Sequence, residues 1–361
     1  MLEHYYALIM AGGGGTRLWP MSRRGTPKQL LPLIDERSMF RTSVDRLAPL
    51  FPPERVYVVT GPDYVEAMRA DVAQIPSENF IVEPYGKNTG PATALGIAII
   101  NQRDPEATVA LLTADHHVAK EQDFRDILKA AHEVSQDGHI VTLGISPTFP
   151  STGFGYIRQG DELRQINGHA CFESLGFTEK PDLVTATEFL TSGQYSWNSG
   201  MFIWTAKTAM EEFERQQPQV FRRLQELMPV IDTRDYQVAL ESVWERMPQI
   251  SIDFAIMENA AKMAVISADI GWSDVGSWGA LFDINQLDEH GNCLKGNVPE
   301  SVILDAKNMM VYSDRLIAAI GVENIIVIDT EDALLICHKD RSQDVKEVVG
   351  YLRSTENHAY L

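Results

Sequence analysis

The chain has 361 residues, a length that suits one large domain together with a smaller one. Apolar residues make up 44% and charged residues 22% of it, an ordinary balance for a globular protein, and no apolar run is long enough to cross a bilayer. The formal net charge of −19 argues against nucleic acid and anionic membranes as partners, because both repel an acidic protein.

The first half of the chain alternates short β-branched runs with segments whose apolar residues recur at helical spacing, such as Phe124, Ile127 and Leu128. This alternation predicts an α/β fold with a parallel sheet covered on both faces. Ligands of such sheets lie beyond the carboxyl ends of the strands. The predicted strands are Tyr5–Met10, Val56–Thr60, Phe80–Val82, Val109–Thr113 and Ile140–Ile145.

From about Thr152 the alternation ends, and we expect an insertion that continues the sheet. One long helical region is predicted over Lys207 to Met228. The predicted strands of this part are Phe154–Arg158, Phe172–Phe177, Gly200–Trp204 and Met263–Ala268. We expect Trp197, Phe202 and Trp204 to pack in the core rather than to bind a ligand.

After Trp278 a polar stretch around Asp288–Gly291 indicates a linker, and the tail beyond it is predicted to be a small β unit closed by a helix over Ser342–Leu352. The spacing of its β runs is irregular, so no strict repeat is predicted. We therefore expect a main domain over residues 1–285 and a second domain over residues 286–361. The β runs of the tail are Val302–Leu304, Met309–Tyr312, Leu316–Ile320, Ile325–Ile328 and Leu334–Cys337.

A glycine run, Gly12, Gly13, Gly14 and Gly15, follows the first predicted strand directly. Glycines let backbone N–H groups approach a phosphate closely. The sequence contains no acid between Ala11 and Ile34, yet Arg17, Arg23, Arg24 and Lys28 fall there, which concentrates positive charge in an acidic chain. No Gly-Lys-Ser/Thr follows, so a Walker A loop is excluded, and the glycine spacing does not fit a nicotinamide dehydrogenase.

Several further motifs accompany this loop, and together they are specific. With them the chain resembles the sugar-nucleotide pyrophosphorylase family, and within it the mannose-1-phosphate guanylyltransferases, also called GDP-mannose pyrophosphorylases. The pairing of Leu18-Trp19-Pro20 with Pro27-Lys28-Gln29 favours the guanylyl branch. The other motifs are Glu83-Pro84, Lys87-Asn88-Thr89, Asp115-His116, Phe177–Pro181, Tyr195–Gly200, Ser251-Ile252-Asp253 and Gly271–Gly276.

The resemblance implies a Rossmann-like, mixed but mostly parallel sheet, followed by a small left-handed β-helix-like domain. It also implies transfer of GMP from GTP to mannose 1-phosphate, with GDP-mannose and pyrophosphate as products and in-line attack at the α-phosphorus. Arg17 is expected at the leaving pyrophosphate and Lys28 at the α-phosphate. A divalent cation, Mg²⁺ first, is expected between Asp115 and Asp274. No general base is expected, since a sugar phosphate is already ionised near neutral pH.

The expected nucleotide contacts are Gly12, Gly13, Gly14, Gly15, Thr16, Arg17, Lys28, Glu83 and Asn88. For Glu83 two hypotheses stand side by side. Its carboxylate accepts hydrogen bonds from guanine, or backbone carbonyls read the base and Glu83 only packs the loop. The expected contacts of the sugar phosphate are Gly155, Glu179, Lys180 and Asn198.

The first residues, Met1-Leu2-Glu3-His4, lack the pattern of a secretory signal, and three widely spaced cysteines suggest neither disulfides nor a zinc site. We therefore expect a cytoplasmic protein. By analogy with the family we expect a homodimer, a single activity and no added isomerase domain. The alternatives are a sister enzyme with another base or sugar, and a catalytically dead subunit that senses a nucleotide sugar.

Overall fold

The structure, a computed structural model, describes residues 2–13, 15–296 and 301–361. It divides into two compact units, each assembled from separate stretches of chain. Unit 1 comprises Met1–Gly12, Val44–Ala114 and Val118–Trp272, and unit 2 comprises Gly13–Ser43, Asp115–His117 and Ser273–Leu361. The domain boundary expected between residues 285 and 286 assumes two continuous segments, whereas each compact unit combines separate stretches of chain. That boundary stays a prediction.

The described residues form the following strands and helices. The strands are β1 (Tyr5–Ala11), β2 (Val56–Thr60), β3 (Phe80–Val82), β4 (Thr108–Thr113), β5 (His117–Val118), β6 (Ile140–Ile145), β7 (Tyr156–Ile166), β8 (His169–Thr178), β9 (Tyr195–Thr205), β10 (Met263–Ser267), β11 (Trp272–Ser273), β12 (Cys293–Lys295), β13 (Ser301–Leu304), β14 (Met310–Tyr312), β15 (Ile317–Ile320), β16 (Ile325–Asp329) and β17 (Leu334–His338). The α-helices are α1 (Met39–Leu47), α2 (Val65–Asp71), α3 (Thr89–Arg103), α4 (Glu121–Ser135), α5 (Leu183–Ser192), α6 (Ala206–Gln216), α7 (Pro218–Leu227), α8 (Tyr236–Glu245), α9 (Ile252–Ala255), α10 (Trp278–Ile284) and α11 (Val345–Ser354).

Unit 1 is built on one sheet with the strand order β3-β2-β1-β4-β9-β6-β10-β8-β7. The first four strands pair in parallel, so their carboxyl ends meet at one edge. Strands β8 and β9 alone run against the others, as their antiparallel pairings show. The predicted α/β fold with a mixed, mostly parallel sheet is therefore confirmed.

The core of unit 1 centres on helix α3, which is buried along its length from Gly90 to Ile100. A Cβ at Gly96 would lie 2.5 Å from Leu8 Cδ2, so glycine lets the helix pack directly onto β1. Trp197, Phe202 and Trp204 are buried, which confirms their predicted place in the core. No helix in the described part of the chain combines the length and the apolar character that a bilayer span needs.

Two predictions for the insertion need correction. The helix predicted over Lys207 to Met228 is two helices, α6 and α7, because Pro218 has no N–H to continue α6 and instead begins α7. The strand predicted at Phe154 begins at Tyr156 and continues to Ile166, where the Asn167-Gly168 turn leads into β8. Both turn residues have positive φ, as a two-residue hairpin requires.

The tail in unit 2 has a β-helix-like arrangement. Strands β12, β14 and β16 pair in parallel, β17 closes that sheet in antiparallel fashion, and β13 pairs in parallel with β15. From β12 to β16, successive runs therefore alternate between two sheets. The chain returns to the same sheet after 16 or 17 residues, as the pairs Cys293↔Met310, Met310↔Ile326 and Ser301↔Ile317 show. The spacing between neighbouring runs does not reveal this repeat, because neighbouring runs up to β16 lie in different sheets. The left-handedness of the β-helix-like tail stays a prediction.

The Gly13–Ser43 stretch shares a hydrophobic core with this tail. Leu18, Trp19 and Leu31 belong to one buried cluster with residues of α10, β14, β16 and α11. The Trp278 Nε1–H also donates to the Trp19 carbonyl oxygen at 2.9 Å. The segment that follows the glycine run is thus held by residues about 260 to 330 positions away along the chain.

Candidate active site

The loop after β1 has a backbone that only glycine adopts easily. Gly13 has φ 107° and Gly15 has φ 51°. A Cβ at Gly15 would also lie 2.7 Å from Ser22 Oγ and 2.9 Å from Lys28 Cβ. The loop therefore packs against Lys28, and Thr16 begins a short 3₁₀ helix, Thr16–Leu18, directly after it. Gly14 lies outside the described residues.

Lys28, Asp115 and Asp274 come together in unit 2. The Lys28 Nζ lies 2.9 Å from Asp115 Oδ2 and donates to the Asp274 carbonyl oxygen at 2.6 Å. The Lys28 side chain is 7% exposed and that of Asp115 is 22% exposed. A lysine that is buried this far is held by a specific partner, because an unpaired ammonium would lose too much hydration.

Asp115 is stabilised as a carboxylate. Its burial alone would raise its pKa, but the ammonium of Lys28 and the nearby His116 outweigh burial and hold the pKa below its usual value. The group is therefore ionised at neutral pH. It follows β4 after a single residue, Ala114, at the carboxyl end of the parallel strands.

Asp274 lies in a tightly constrained loop. Its Oδ1 accepts from the Gly276 N–H at 3.0 Å, and a Cβ at Gly276 would lie 2.4 Å from Asp274 Oδ2. Val275 has φ 47°, a conformation that is costly for a β-branched residue, and its fully buried side chain holds it there. Backbone strain next to a carboxylate is typical of functional sites.

Arg17 lies in the same unit. Its Nη1 donates to Gln343 Oε1 at 2.9 Å, which is a neutral partner. Within the described residues no carboxylate lies within ion-pair distance of this guanidinium. Its charge is therefore available to an anionic ligand.

The donor set of this cluster suits a hard cation. The Asp115 carboxylate and the Asp274 carbonyl oxygen already hold a cation, the Lys28 ammonium. Mg²⁺ takes one or two protein carboxylates together with phosphate oxygens and water. No group of three or more His, Cys, Asp or Glu side chains able to hold a metal occurs among the residues that the structure describes. The residues therefore fit a cation that also needs a ligand's phosphates.

A second polar cluster, in unit 1, contains the predicted sugar contacts. A Cβ at Gly155 would lie 2.6 Å from Glu179 Oε2, and the Gly155 carbonyl oxygen accepts from Asn198 N–H at 2.8 Å. Glu179 is buried and forms an ion pair with the exposed Lys180. The structure thus brings Gly155, Glu179, Lys180 and Asn198 together.

Asp253 belongs to this cluster and is absent from the predicted site residues. Its Oδ1 accepts from Asn198 Nδ2 at 3.1 Å. Burial and the negative charge of Glu179 raise the pKa of Asp253 to about 6. The Ser251-Ile252-Asp253 motif was a signal in the sequence, but nothing in it indicated that Asp253 meets Asn198.

Glu83 and Asn88 lie in the segment that follows β3. Glu83 is 9% exposed, its Oε2 has no hydrogen-bond partner among the described residues, and burial raises its pKa to about 7. Asn88 has φ 70°, and its Oδ1 accepts from the Thr89 N–H at 2.8 Å as the cap of α3. Glu83 therefore offers an unused buried acceptor, whereas one end of the Asn88 amide is already occupied.

Sequence comparison identifies the family of this site. The profile of the nucleotidyl transferase family matches residues 6–291, and that of the MannoseP isomerase/GMP-like beta-helix domain matches residues 299–352. The chain belongs to the nucleotidyl transferase family. The family predicted from the motifs is confirmed, and so is the prediction of an enzyme of the nucleotidyltransferase class.

Individual relatives of this nucleotidyl transferase match it almost from end to end. A mannose-1-phosphate guanylyltransferase of Klebsiella pneumoniae is 37% identical over 98% of this chain and 75% of its own length. The xanthan biosynthesis protein XanB of Xanthomonas campestris pv. campestris is 38% identical over 96% of this chain and 73% of its own. The crystal structure of a Thermus thermophilus protein named mannose-1-phosphate geranyltransferase superposes with a TM-score of 0.87 at 36% identity and covers 97% of this chain and 99% of its own.

Proposed function

We propose that the protein transfers GMP from GTP to α-D-mannose 1-phosphate and releases GDP-mannose and pyrophosphate. The observation that carries the reaction class is the buried Lys28 ammonium held between Asp115 and the Asp274 loop, next to the glycine loop. The substrates follow from the relatives, whose names specify mannose-1-phosphate guanylyltransferase over nearly the whole chain.

The reaction is an in-line substitution at the α-phosphorus of GTP. A phosphate oxygen of mannose 1-phosphate forms the new P–O bond, the bond to the oxygen bridging the α- and β-phosphorus atoms breaks, and pyrophosphate takes that electron pair. Lys28 neutralises charge at the α-phosphate, and Arg17 grips the leaving pyrophosphate with its planar guanidinium. The N–H groups of Gly12, Gly13, Gly15 and Thr16 surround the phosphates. The nucleophile is ionised near neutral pH and needs no general base.

A divalent cation is part of this proposal, with Mg²⁺ as the first choice. The carboxylates of Asp115 and Asp274 would hold it, since both offer oxygen ligands; the Asp115 carboxylate and the Asp274 backbone carbonyl both contact the Lys28 ammonium. When bound, the cation neutralises phosphate charge in the transition state.

Recognition of the two organic groups falls to unit 1. The unused acceptor of Glu83 supports a contact with guanine N1–H and the 2-amino group, and the alternative remains that Glu83 only packs its loop. Asn88 retains its Nδ2 donor for the nucleotide. Glu179, Asn198 and the backbone at Gly155 contact the sugar hydroxyls, and the largely exposed ammonium of Lys180 contacts the sugar phosphate.

We also propose that the protein is a cytoplasmic homodimer that binds neither nucleic acid nor membrane. The outward faces of β13 and β15 carry exposed apolar side chains in register, Leu304 beside Ile320 and Val302 beside Ala318. Leu304 is 52% and Ile320 68% exposed, a face that a second copy would cover. Light scattering on the native chain and on Ile320→Glu tests this, and a native monomer would contradict it. The free thiols of Cys171, Cys293 and Cys337 agree with a reducing compartment.

The decisive experiment crosses GTP, ATP, UTP and dTTP with mannose 1-phosphate and glucose 1-phosphate, with Mg²⁺ present, and measures pyrophosphate release. We expect GTP with mannose 1-phosphate to give the highest kcat/KM. A preference for UTP or dTTP would show a sister enzyme. No release with any pair, together with binding of GDP-mannose, would show a sensing subunit instead.

A further inference from the structure

Asn198 is the most completely held polar side chain of the sugar cluster. It is 8% exposed, and its Oδ1 accepts from the Gly200 N–H at 3.0 Å and from Thr142 Oγ1 at 3.3 Å. Its Nδ2 donates to Asp253 Oδ1 at 3.1 Å. One N–H of the amide then remains for a ligand.

The two ends of this amide are held by groups of opposite polarity. The Gly200 N–H can only donate, and an ionised Asp253 can only accept. A flipped amide would set its N–H₂ against the Gly200 N–H and its oxygen against a carboxylate, so one orientation is fixed.

The backbone near Asn198 also departs from regular strand pairing. The register of β6 and β9 shifts between Thr142 and Gly144, and Gly200 takes φ 72° at the matching place in β9. Such a bulge redirects side chains out of the regular alternation, here at Asn198.

We propose that Asp253 is a positioning residue of the sugar-phosphate site, which fixes the Asn198 amide so that it offers a sugar hydroxyl a single N–H donor while Glu179 offers the acceptor. This inference rests on the proposed function and adds to it a residue that works through Asn198. This inference gives the motif Ser251-Ile252-Asp253 a chemical role. Asp253 supplies the carboxylate, and Ser251 Oγ accepts from the Phe254 N–H at 3.4 Å and so caps α9, the helix that carries Asp253.

The direct test compares Asp253→Asn with the native enzyme in pyrophosphate release, with each substrate varied in turn. Because asparagine can present its own N–H₂ to Asn198, the polarity of the clamp is lost. We expect the KM for mannose 1-phosphate to rise about tenfold, with the KM for GTP changed less than about twofold and kcat less than about threefold.

The pH dependence gives a readout that a merely structural role would not move. The charged groups that face Asp253 are Glu179 and Lys180, and its pKa of about 6 lies above that of an ordinary aspartate. Below that pH the native carboxyl is neutral and resembles the variant. The ratio of the two KM values, variant over native, should fall from about ten at pH 8 toward about one at pH 5. The substrate's own titration cancels in this ratio.

Two further variants complete the test. Ser251→Ala removes the cap of α9 but keeps both partners of the amide clamp, so it should lower the Tm and raise the KM for mannose 1-phosphate much less than Asp253→Asn does. Thr142→Val removes one donor to Asn198 Oδ1 and should raise that KM about threefold. If Asp253→Asn does not fold, Asp253→Ser, which also removes the carboxylate, takes its place.

The outcomes separate the two proposals. A native protein without turnover of mannose 1-phosphate overturns the proposed function, and this inference with it. An active native enzyme overturns the inference alone if Asp253→Asn leaves the KM unmoved, if the KM ratio is flat with pH, or if Ser251→Ala raises the KM as much as Asp253→Asn does. An unmoved KM in Asp253→Ser has the same meaning when that variant takes the place of Asp253→Asn.

Discussion

The two polar clusters shift the pKa values of their aspartates in opposite directions. In unit 2 burial would raise the pKa of Asp115, but the Lys28 ammonium and the nearby His116 together outweigh it and lower that pKa. In unit 1 burial dominates, Glu179 adds a like charge, and the pKa of Asp253 rises to about 6. In the proposed function, the first arrangement would keep charge available for phosphates and a cation, and the second would lower the cost of holding carboxyls around an uncharged hexose ring. The contrast makes clear predictions for single substitutions.

The largest effect should come from Asp274→Asn. An amide keeps the shape of the loop but removes a negative ligand from the proposed cation site. Turnover should therefore fall by about 10³-fold or more, while the Tm should stay within a few degrees of the native value. The measurement is pyrophosphate release alongside thermal unfolding. Asp269→Asn is the matched control, because Asp269 is exposed and pairs only with Lys120 on the surface. A metal-dependent, fully active Asp274→Asn enzyme would place the cation elsewhere.

Lys28→Met should follow, with kcat/KM lowered by about 10²- to 10³-fold. The substitution keeps the apolar stem but leaves the Asp115 carboxylate without its counter-charge and the α-phosphate without a cation. Lys120→Met removes a lysine of comparable pairing at an exposed position and should change neither rate nor stability measurably. If Lys28→Met keeps more than about a tenth of the native activity, Lys28 takes no direct part in the reaction.

Glu83→Gln tests both hypotheses for that residue. If Glu83 reads guanine, kcat/KM for GTP should fall roughly 10- to 100-fold, because an amide cannot accept both guanine hydrogens. Burial raises the pKa of Glu83 to about 7 from an ordinary value of 4.5, so the folded chain binds more protons than the unfolded chain between these values. Stability therefore falls as the pH rises through this window.

Glutamine does not ionise, so Glu83→Gln removes the loss of stability that ionisation of the buried Glu83 causes at high pH. Denaturant unfolding of Glu83→Gln should show a gain on the order of 2–3 kcal/mol at pH 8 that disappears toward pH 4.5. The stability gain with an unchanged KM for GTP would mean that Glu83 only packs its loop.

The smallest effect is expected from Gly155→Ala. The added methyl would meet Glu179 Oε2 at 2.6 Å and the Phe177 ring at 3.1 Å, so the acceptor must shift. The KM for mannose 1-phosphate should rise about fivefold, with little change in the KM for GTP. Gly153→Ala is the control, since its new Cβ would meet nothing nearer than Ser151 Oγ at 3.7 Å. Equal effects of the two substitutions would contradict a specific role for Gly155.

The sequence predicted the strands of the parallel sheet closely because their apolar runs are short and bounded by turn residues. Val56–Thr60, Phe80–Val82 and Ile140–Ile145 match β2, β3 and β6 at both ends. Helix α5 was not predicted, since Leu183 and Val184 are exposed and no apolar face marks it. Its signals were local ones, the Asp182 cap and the left-handed Gly193 that ends it.

For the candidate site, motifs predicted a set of residues but not which of them meet. That Lys28 lies between Asp115 and Asp274, or Asp253 beside Asn198, depends on packing between positions far apart in the chain. The tail shows the same limit, because the runs that pair are next-nearest rather than nearest neighbours, except for β16 and β17.

The interleaved construction of unit 2 sets an order of events during synthesis. The loop with Arg17 and Lys28 emerges from the ribosome early, yet Leu18, Trp19 and Leu31 bury themselves against Met310, Ile326 and Val349. Until those later residues have been translated, the nascent loop segment lacks the core on which it packs in the folded chain. A ribosome stalled before Met310 would hold a chain in which Leu18, Trp19 and Leu31 still lack these packing partners.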